Sequence, residues 1–201
     1  MIPRHPIEVE SYRILTERVD LGGLAPGPRA VVERVIHASA DLDFAATTIV
    51  ADEDVRRGVQ ALRAGATVVV DVEMVRAGIS GHPTTCLLGD AKAGPGGYPT
   101  RSAMAVRAAA RLHPDGAIWV VGCAPTALTE ILDLAESGVL RPALIIGMPV
   151  GFVGAAEAKA ATRELAGRIG LAAITNVGEK GGSAVAAAAF NALVRLSRFE
   201  D

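Results

Sequence analysis

Histidine is the side chain whose ordinary pKa lies nearest neutrality, so a fixed imidazole can both give and take a proton. One of the four histidines, His37, closes an apolar-striped helix (Val31, Val32, Val35, Ile36). Ala38-Ser39-Ala40-Asp41-Leu42-Asp43-Phe44 follow it at once. A helix C-terminus favours the imidazolium, and so would Asp41 or Asp43 within reach. A histidine that only caps the last carbonyls fits the same position, so the spacing leaves both roles open. Arg101 is the second candidate, in Tyr98-Pro99-Thr100-Arg101-Ser102. An arginine opening a helix is a poor partner for the positive end of its dipole. It makes sense there as the holder of a carboxylate or phosphate, gripped by the guanidinium fork. A solvated surface arginine is the alternative.

Three further stretches are small-residue loops that run into helix starts, the arrangement that turns backbone N–H groups towards an anion. They are Gly122-Cys123-Ala124-Pro125-Thr126-Ala127-Leu128, Gly147-Met148-Pro149-Val150-Gly151-Phe152-Val153-Gly154, and Gly178-Glu179-Lys180-Gly181-Gly182-Ser183. None is a Walker loop, and the glycines at 147, 151 and 154 have the wrong spacing for a dinucleotide fingerprint. A nucleotide- or phosphate-binding protein stays open as an alternative, with those missing spacings against it. No cofactor motif is present.

The elements that must carry these residues follow from periodicity. Pro6 to Glu10 reads as an extended lead-in, and Ser11 as the N-cap of a short helix to Val19. A Gly/Pro turn precedes the His37 helix. Asp52-Glu53-Asp54 opens a helix that stops at Gly65. From there strands and helices alternate. Strands are expected at Thr67–Val72, Thr84–Leu88, Ala117–Val121, Ala143–Ile146 and Ala172–Thr175. Helices are expected at Glu73–Ala77, Arg101–Leu112, Pro125–Glu136, Ala155–Arg168 and Ser183–Arg198. That alternation predicts a doubly wound, mostly parallel five-stranded α/β sheet with helices on both faces. In such sheets ligands sit outside the carboxyl ends of the strands, where all three glycine loops fall. Glu157 and Lys159 fit a site or, as a helix position favours, surface pairs or packing, while His5, His82 and His113 read as structural.

Bulk properties agree. The 201 residues suit one domain, 1–201, and no linker or repeat divides them. Half the residues are hydrophobic but only 3% are aromatic, which suits closely packed helices on a buried sheet. The net charge of −2 offers no basic field for a nucleic acid. No run of about 18 apolar residues suggests a membrane span. Cys86 and Cys123 form neither a metal spacing nor a disulfide framework, and the first residues lack the apolar core of a signal peptide. A cytoplasmic protein without metal is the expectation.

Taken together, Val35-Ile36-His37 with Ala40-Asp41, Thr100-Arg101-Ser102, Ala124-Pro125-Thr126-Ala127-Leu128, Gly147–Lys159 and Lys180-Gly181-Gly182-Ser183 resemble the precorrin-8X methylmutase family, which includes the cobalt-precorrin-8 methylmutases. The resemblance runs from about Pro6 to Leu193, and Gly147–Lys159 is its most specific part. It implies a flavodoxin-like fold and an isomerase of cobalamin (vitamin B12) biosynthesis. That isomerase moves a methyl group from carbon 11 to carbon 12 of the macrocycle, giving hydrogenobyrinate or cobyrinate. It implies His37 as the catalytic proton donor and acceptor, and Ser11 and Arg101 as substrate-binding. It also implies a homodimer that uses no cofactor.

The tetrapyrrole substrate carries carboxylate arms on a broad apolar ring. Thr100, Gly147, Met148, Val150, Gly151, Lys180, Gly181, Gly182 and Ser183 complete the expected substrate-binding set. Within it, Lys180 suits the arms, while Met148 and Val150, with Phe152, suit the ring. Hand-over of product to neighbouring enzymes of the pathway is a further expectation. Two places depart from the pattern: Cys123 stands where an asparagine is expected, and the loop Gly94-Pro95-Gly96-Gly97-Tyr98 is richer in glycine than expected. A corrinoid carrier without catalysis is the remaining alternative.

Overall fold

Residues 5–199 are described by a computed structural model. Helix α1 (Pro6–Arg18) and helix α2 (Pro26–Ser39) come first, followed by α3 (Phe44–Thr47), β1 (Thr48–Ile49) and α4 (Asp52–Arg63). The alternating part comprises β2 (Val68–Val70), α5 (Glu73–Gly78), α6 (Arg101–Leu112), β3 (Ile118–Val121), α7 (Pro125–Glu136), β4 (Leu144–Gly147), α8 (Ala155–Ile169), β5 (Ala173–Asn176) and α9 (Ser183–Phe199).

The five strands form one sheet in the order β1-β5-β4-β3-β2. β2 to β5 are parallel, and β1 adds to β5 antiparallel. Because side chains alternate along a strand, the sheet has two apolar faces. Val68, Val70, Ile118, Val120, Leu144, Ile146 and Ile174 pack with Val31, Val35, Val59 and Phe190 of α2, α4 and α9. Val69, Trp119, Val121 and Ile145 pack with Val106, Leu128, Ile131 and Leu165 of α6, α7 and α8. The sheet is thus mostly parallel and covered on both sides, as the alternation predicts.

Three expectations need correction. Thr84–Leu88 is not a strand, because Pro83 lacks a donor and a turn begins at Leu88. Only Thr85 joins the ladder, its N–H donating to the Val68 carbonyl at 2.8 Å and its carbonyl accepting from Val70 at 2.9 Å. With that bridge counted second along the chain, the parallel order becomes the flavodoxin-like 2-1-3-4-5. The fifth strand is instead the two-residue β1, too short to leave a pattern. Pro6–Glu10 is not extended but begins α1, since proline at the first turn fits a helix and the His5 imidazole accepts from the Ile7 N–H at 3.3 Å. Ser11 is therefore a mid-helix residue rather than a cap, free to face a neighbour.

Candidate functional site

The last turn of α2 presents His37, half-buried, above four buried residues of the same helix (Val31, Val32, Val35, Ile36). Two contacts from α1 hold its ring. Ser11 Oγ lies 2.8 Å from Nδ1, and the Tyr12 ring stacks on the imidazole at 5.1 Å with 6° between planes. One turn earlier on each helix, Glu8 pairs with Arg34 at 3.3 Å and with Arg195 of α9 at 3.5 Å. With Nδ1 engaged by Ser11, Nε2 is the nitrogen left for chemistry.

Burial lowers the His37 pKa from its ordinary 6.5, aided by the nearby Arg34 guanidinium and opposed by Glu8. Neither Asp41 nor Asp43 comes within reach to raise it. Both carboxylates turn away to Lys180, each 2.7 Å from its Nζ. The turn that aims them is tight. Ala40 takes a left-handed conformation, Ser39 Oγ accepts from the Asp41 N–H, and Asp41 Oδ1 accepts from the Asp43 N–H. Lys180 hence anchors the end of α2 to the loop after β5, at the carboxyl edge of the sheet.

The same edge gathers most of the other candidates. Thr100 caps α6, accepting from the Ala103 N–H at 3.2 Å, and its hydroxyl lies 2.7 Å from that of Thr126 in the first turn of α7. Arg101 follows it, exposed and without an ion pair among the described residues. Gly154, before α8, lies against Pro125, the first residue of α7. The loops after β4 and β5 are tied together, the Gly151 N–H donating to the Glu179 carbonyl and the Gly182 N–H to that of Met148. Gly181 sits so close to the Met148 and Pro149 carbonyls that a Cβ would strike them. Val150 is half-exposed, while Phe152 and Val153 stand out at 89% and 88% exposure.

Several candidates lie beneath the surface instead. Gly147 and Met148 are fully covered, Gly147 under Leu128 and Met148 in the core, so Met148 cannot lie against a ring in this conformation. Ser183 is buried at the start of α9. The N–H groups after β3 do not form a vacant cradle. Asp71, at the end of β2, accepts from Gly122 at 3.1 Å, Cys123 at 2.8 Å and Ala124 at 2.9 Å. Burial pushes that carboxyl up, against the pull of the three N–H donors. Gly122 is obligatory beside it, since a Cβ would lie 2.7 Å from Ser183 Cα.

Of the readings open to it, Lys159 takes the packed one, for it is fully buried. Its Nζ donates to the Lys180 carbonyl at 2.6 Å and to Asn176 Oδ1 at 3.3 Å, and burial lowers its pKa to about 8. A lysine in a helix stripe gives no sign of this, because its partners arrive from β5 and the loop beyond. Glu157 is exposed, as a surface reading requires.

Known proteins give this geometry a context. Residues 6–196 match the CbiC family, precorrin-8X methylmutase. The cobalt-precorrin-8 methylmutase of Priestia megaterium is 36% identical over 95% of this chain and 87% of its own. That of Synechocystis is 39% identical over 98% of both chains. A solved precorrin-8X methylmutase from Thermus thermophilus superposes with a TM-score of 0.82 at 37% identity, covering 96% of this chain and 98% of that one. The chain belongs to the precorrin-8X methylmutase family, isomerases of cobalamin biosynthesis.

Proposed function

We propose that this chain, acting as one domain, moves a methyl group from carbon 11 to carbon 12 of precorrin-8X or cobalt-precorrin-8, with His37 as proton donor and acceptor. The observation that carries the proposal is the pinned imidazole, hydrogen-bonded by Ser11 and stacked by Tyr12 at the end of α2. In the free protein the lowered pKa leaves His37 neutral at pH 7. A substrate bearing several carboxylates brings negative charge beside it and favours the imidazolium. Nε2 then protonates the ring nitrogen next to the migrating methyl, the conjugated system draws electrons, and the methyl shifts. The proton returns to His37, so the rearrangement is balanced within one molecule and needs no co-reactant.

Carboxylate capture falls to Arg101 and to backbone N–H groups, with Thr100 holding the α6 start in place. Lys180 is a weak candidate for that task, because Asp41 and Asp43 leave its cluster with one net negative charge. Val150 suits the apolar ring, and Gly147, Met148, Gly151, Gly182 and Ser183 shape the loops that carry the contacts.

The pH dependence has a definite sign. kcat/KM reports the free enzyme and kcat the complex. If imidazolium is the active form, kcat/KM falls as pH rises through a pKa below 6.5. The decline in kcat comes at higher pH, because bound carboxylates raise the same group. Coincident alkaline limbs in steady-state profiles would count against His37 as the donor.

A homodimer belongs to the same reading. Ile7, 73% exposed, lines an open concavity of about 480 Å³ together with Pro6, Glu10, Ser11 and Ile14. A second copy seated there would cover this apolar surface and wall the His37 side. Light scattering after size exclusion should give twice the chain mass; a monomer at micromolar concentration overturns this. Both cysteines are free, which accords with a reducing cytoplasm. Among the described residues no helix is long and apolar enough to cross a membrane.

A further inference from the structure

Lys159 is a charged side chain with no surface exposure and, among the described residues, no carboxylate within ion-pair distance. An ammonium in that state is costly unless its hydrogens find acceptors. The acceptors it finds belong to one place, the carbonyl of Lys180 at 2.6 Å and Asn176 Oδ1 at 3.3 Å. Asn176 is itself buried, and its Nδ2 donates to the same Lys180 carbonyl at 2.7 Å. One carbonyl thus takes two buried donors from two different elements, α8 and β5.

The peptide bond that follows this carbonyl is trans, since among the described residues the cis bond is Tyr98–Pro99. In a trans peptide the C=O and the next N–H point in opposite directions. Drawing the Lys180 carbonyl inward therefore turns the Gly181 N–H outward, away from Lys159 and Asn176. That N–H makes no hydrogen bond within the described protein, whereas the next one, of Gly182, is taken by the Met148 carbonyl. Gly181 also has a φ of 159°, and a Cβ there would strike the Met148 and Pro149 carbonyls. The backbone is held on both sides, and the amide it leaves vacant faces out at the carboxyl edge.

We propose that Lys159 is a positioning residue, which with Asn176 fixes the Lys180–Gly181 peptide so that the Gly181 N–H receives one carboxylate of the substrate. The proposal rests on the methylmutase reading for the identity of the ligand. It assigns to a buried lysine a part in substrate capture that it performs without touching the substrate. The charged groups that act on it are Arg163 on its own helix and Glu179 on the loop, while the Lys180 ammonium is paired with Asp41 and Asp43. None of them is free to replace Lys159 at the Lys180 carbonyl.

The test uses protein labelled with 15N-glycine, titrated with hydrogenobyrinate and followed by amide resonances. The Gly181 amide should move downfield on binding in the wild type, as expected for a new hydrogen bond to carboxylate. Lys159→Met removes the donor while keeping an unbranched apolar side chain of similar length. It should weaken hydrogenobyrinate binding and raise KM by roughly tenfold, with kcat within about threefold and the Gly181 shift lost. Asn176→Ala, which removes the other donor, should act in the same direction and serves if Lys159→Met does not fold. Lowered melting temperature with unchanged KM and an intact Gly181 shift would reduce Lys159 to a structural residue and overturn the proposal. Binding to the wild type without any Gly181 shift overturns it too. Absence of hydrogenobyrinate binding to the wild type would instead strike the methylmutase reading on which it rests.

Discussion

Replacing His37 with asparagine lowers kcat by roughly 10²- to 10⁴-fold, the range expected for losing a positioned acid–base group, while hydrogenobyrinate still binds. The reasoning starts at the ring. Its Nδ1 is held by Ser11 at 2.8 Å and its face by Tyr12, so its orientation is set before substrate arrives. A pre-oriented group loses little freedom on reaction, and the rate it contributes vanishes with it. Asparagine keeps a polar group of similar reach near Ser11 but cannot shuttle a proton near neutral pH. The fold should survive, because Val31, Val32, Val35 and Ile36 bury α2 independently of its last turn. Burst and steady-state kinetics with a melting curve check all three statements. A variant with kcat within about threefold of wild type would remove His37 from the mechanism.

Asp71→Ala should destabilise the protein by about 3–5 kcal/mol, the cost of breaking a buried charged network from one side. The carboxylate is 6% exposed and accepts from three successive N–H groups, those of Gly122, Cys123 and Ala124. Alanine leaves these donors without a partner where β3 feeds α7. In a chain of this size such a loss lowers Tm by roughly 10 °C. Asp71→Asn retains one acceptor oxygen but turns an NH2 towards backbone donors, so it should fall between the two. Urea and thermal unfolding of both variants give the comparison, and a change within about 0.5 kcal/mol for alanine would show that water or a shifted loop satisfies the N–H groups. Activity should fall with stability, because the same three residues set the path from β3 to Thr126 and hence to Thr100.

Local rules carried much of the fold. Thr100 before Arg101 and the His113-Pro114 stop bound α6 to the residues expected, and proline at the first turn did the same for α7. The β-branched runs placed β2 to β5 within a residue or two. Failures came where a distant part of the chain decided the outcome. Thr84–Leu88 has strand composition but a proline at one side and a turn at the other, so one residue pairs. β1 exists only because the β5 edge is available to it. Ser11 looked like a cap because no rule predicts that His5 would take that position.

The candidate site shows the same division. His37 and Arg101 were recognisable by residue type at helix ends, and both lie where the fold can use them. Lys180 was assigned to substrate although Asp41 and Asp43, about 140 residues earlier in sequence, already hold it. Asp71 carries no motif, and Lys159 reads no further than pairing or packing, because a buried charge is defined by its acceptors or donors. For Asp71 those are three backbone N–H groups and for Lys159 a backbone carbonyl and the Asn176 side chain, all from distant parts of the sequence, which no local motif records.

The most direct test is the visible spectrum of the wild-type protein incubated with precorrin-8X and, separately, with cobalt-precorrin-8. Conversion of one of them to the spectrum of hydrogenobyrinate or cobyrinate, with His37→Asn binding the same compound unchanged, is the result expected of a histidine-driven methyl shift. A wild-type protein that binds both compounds and alters neither would contradict it.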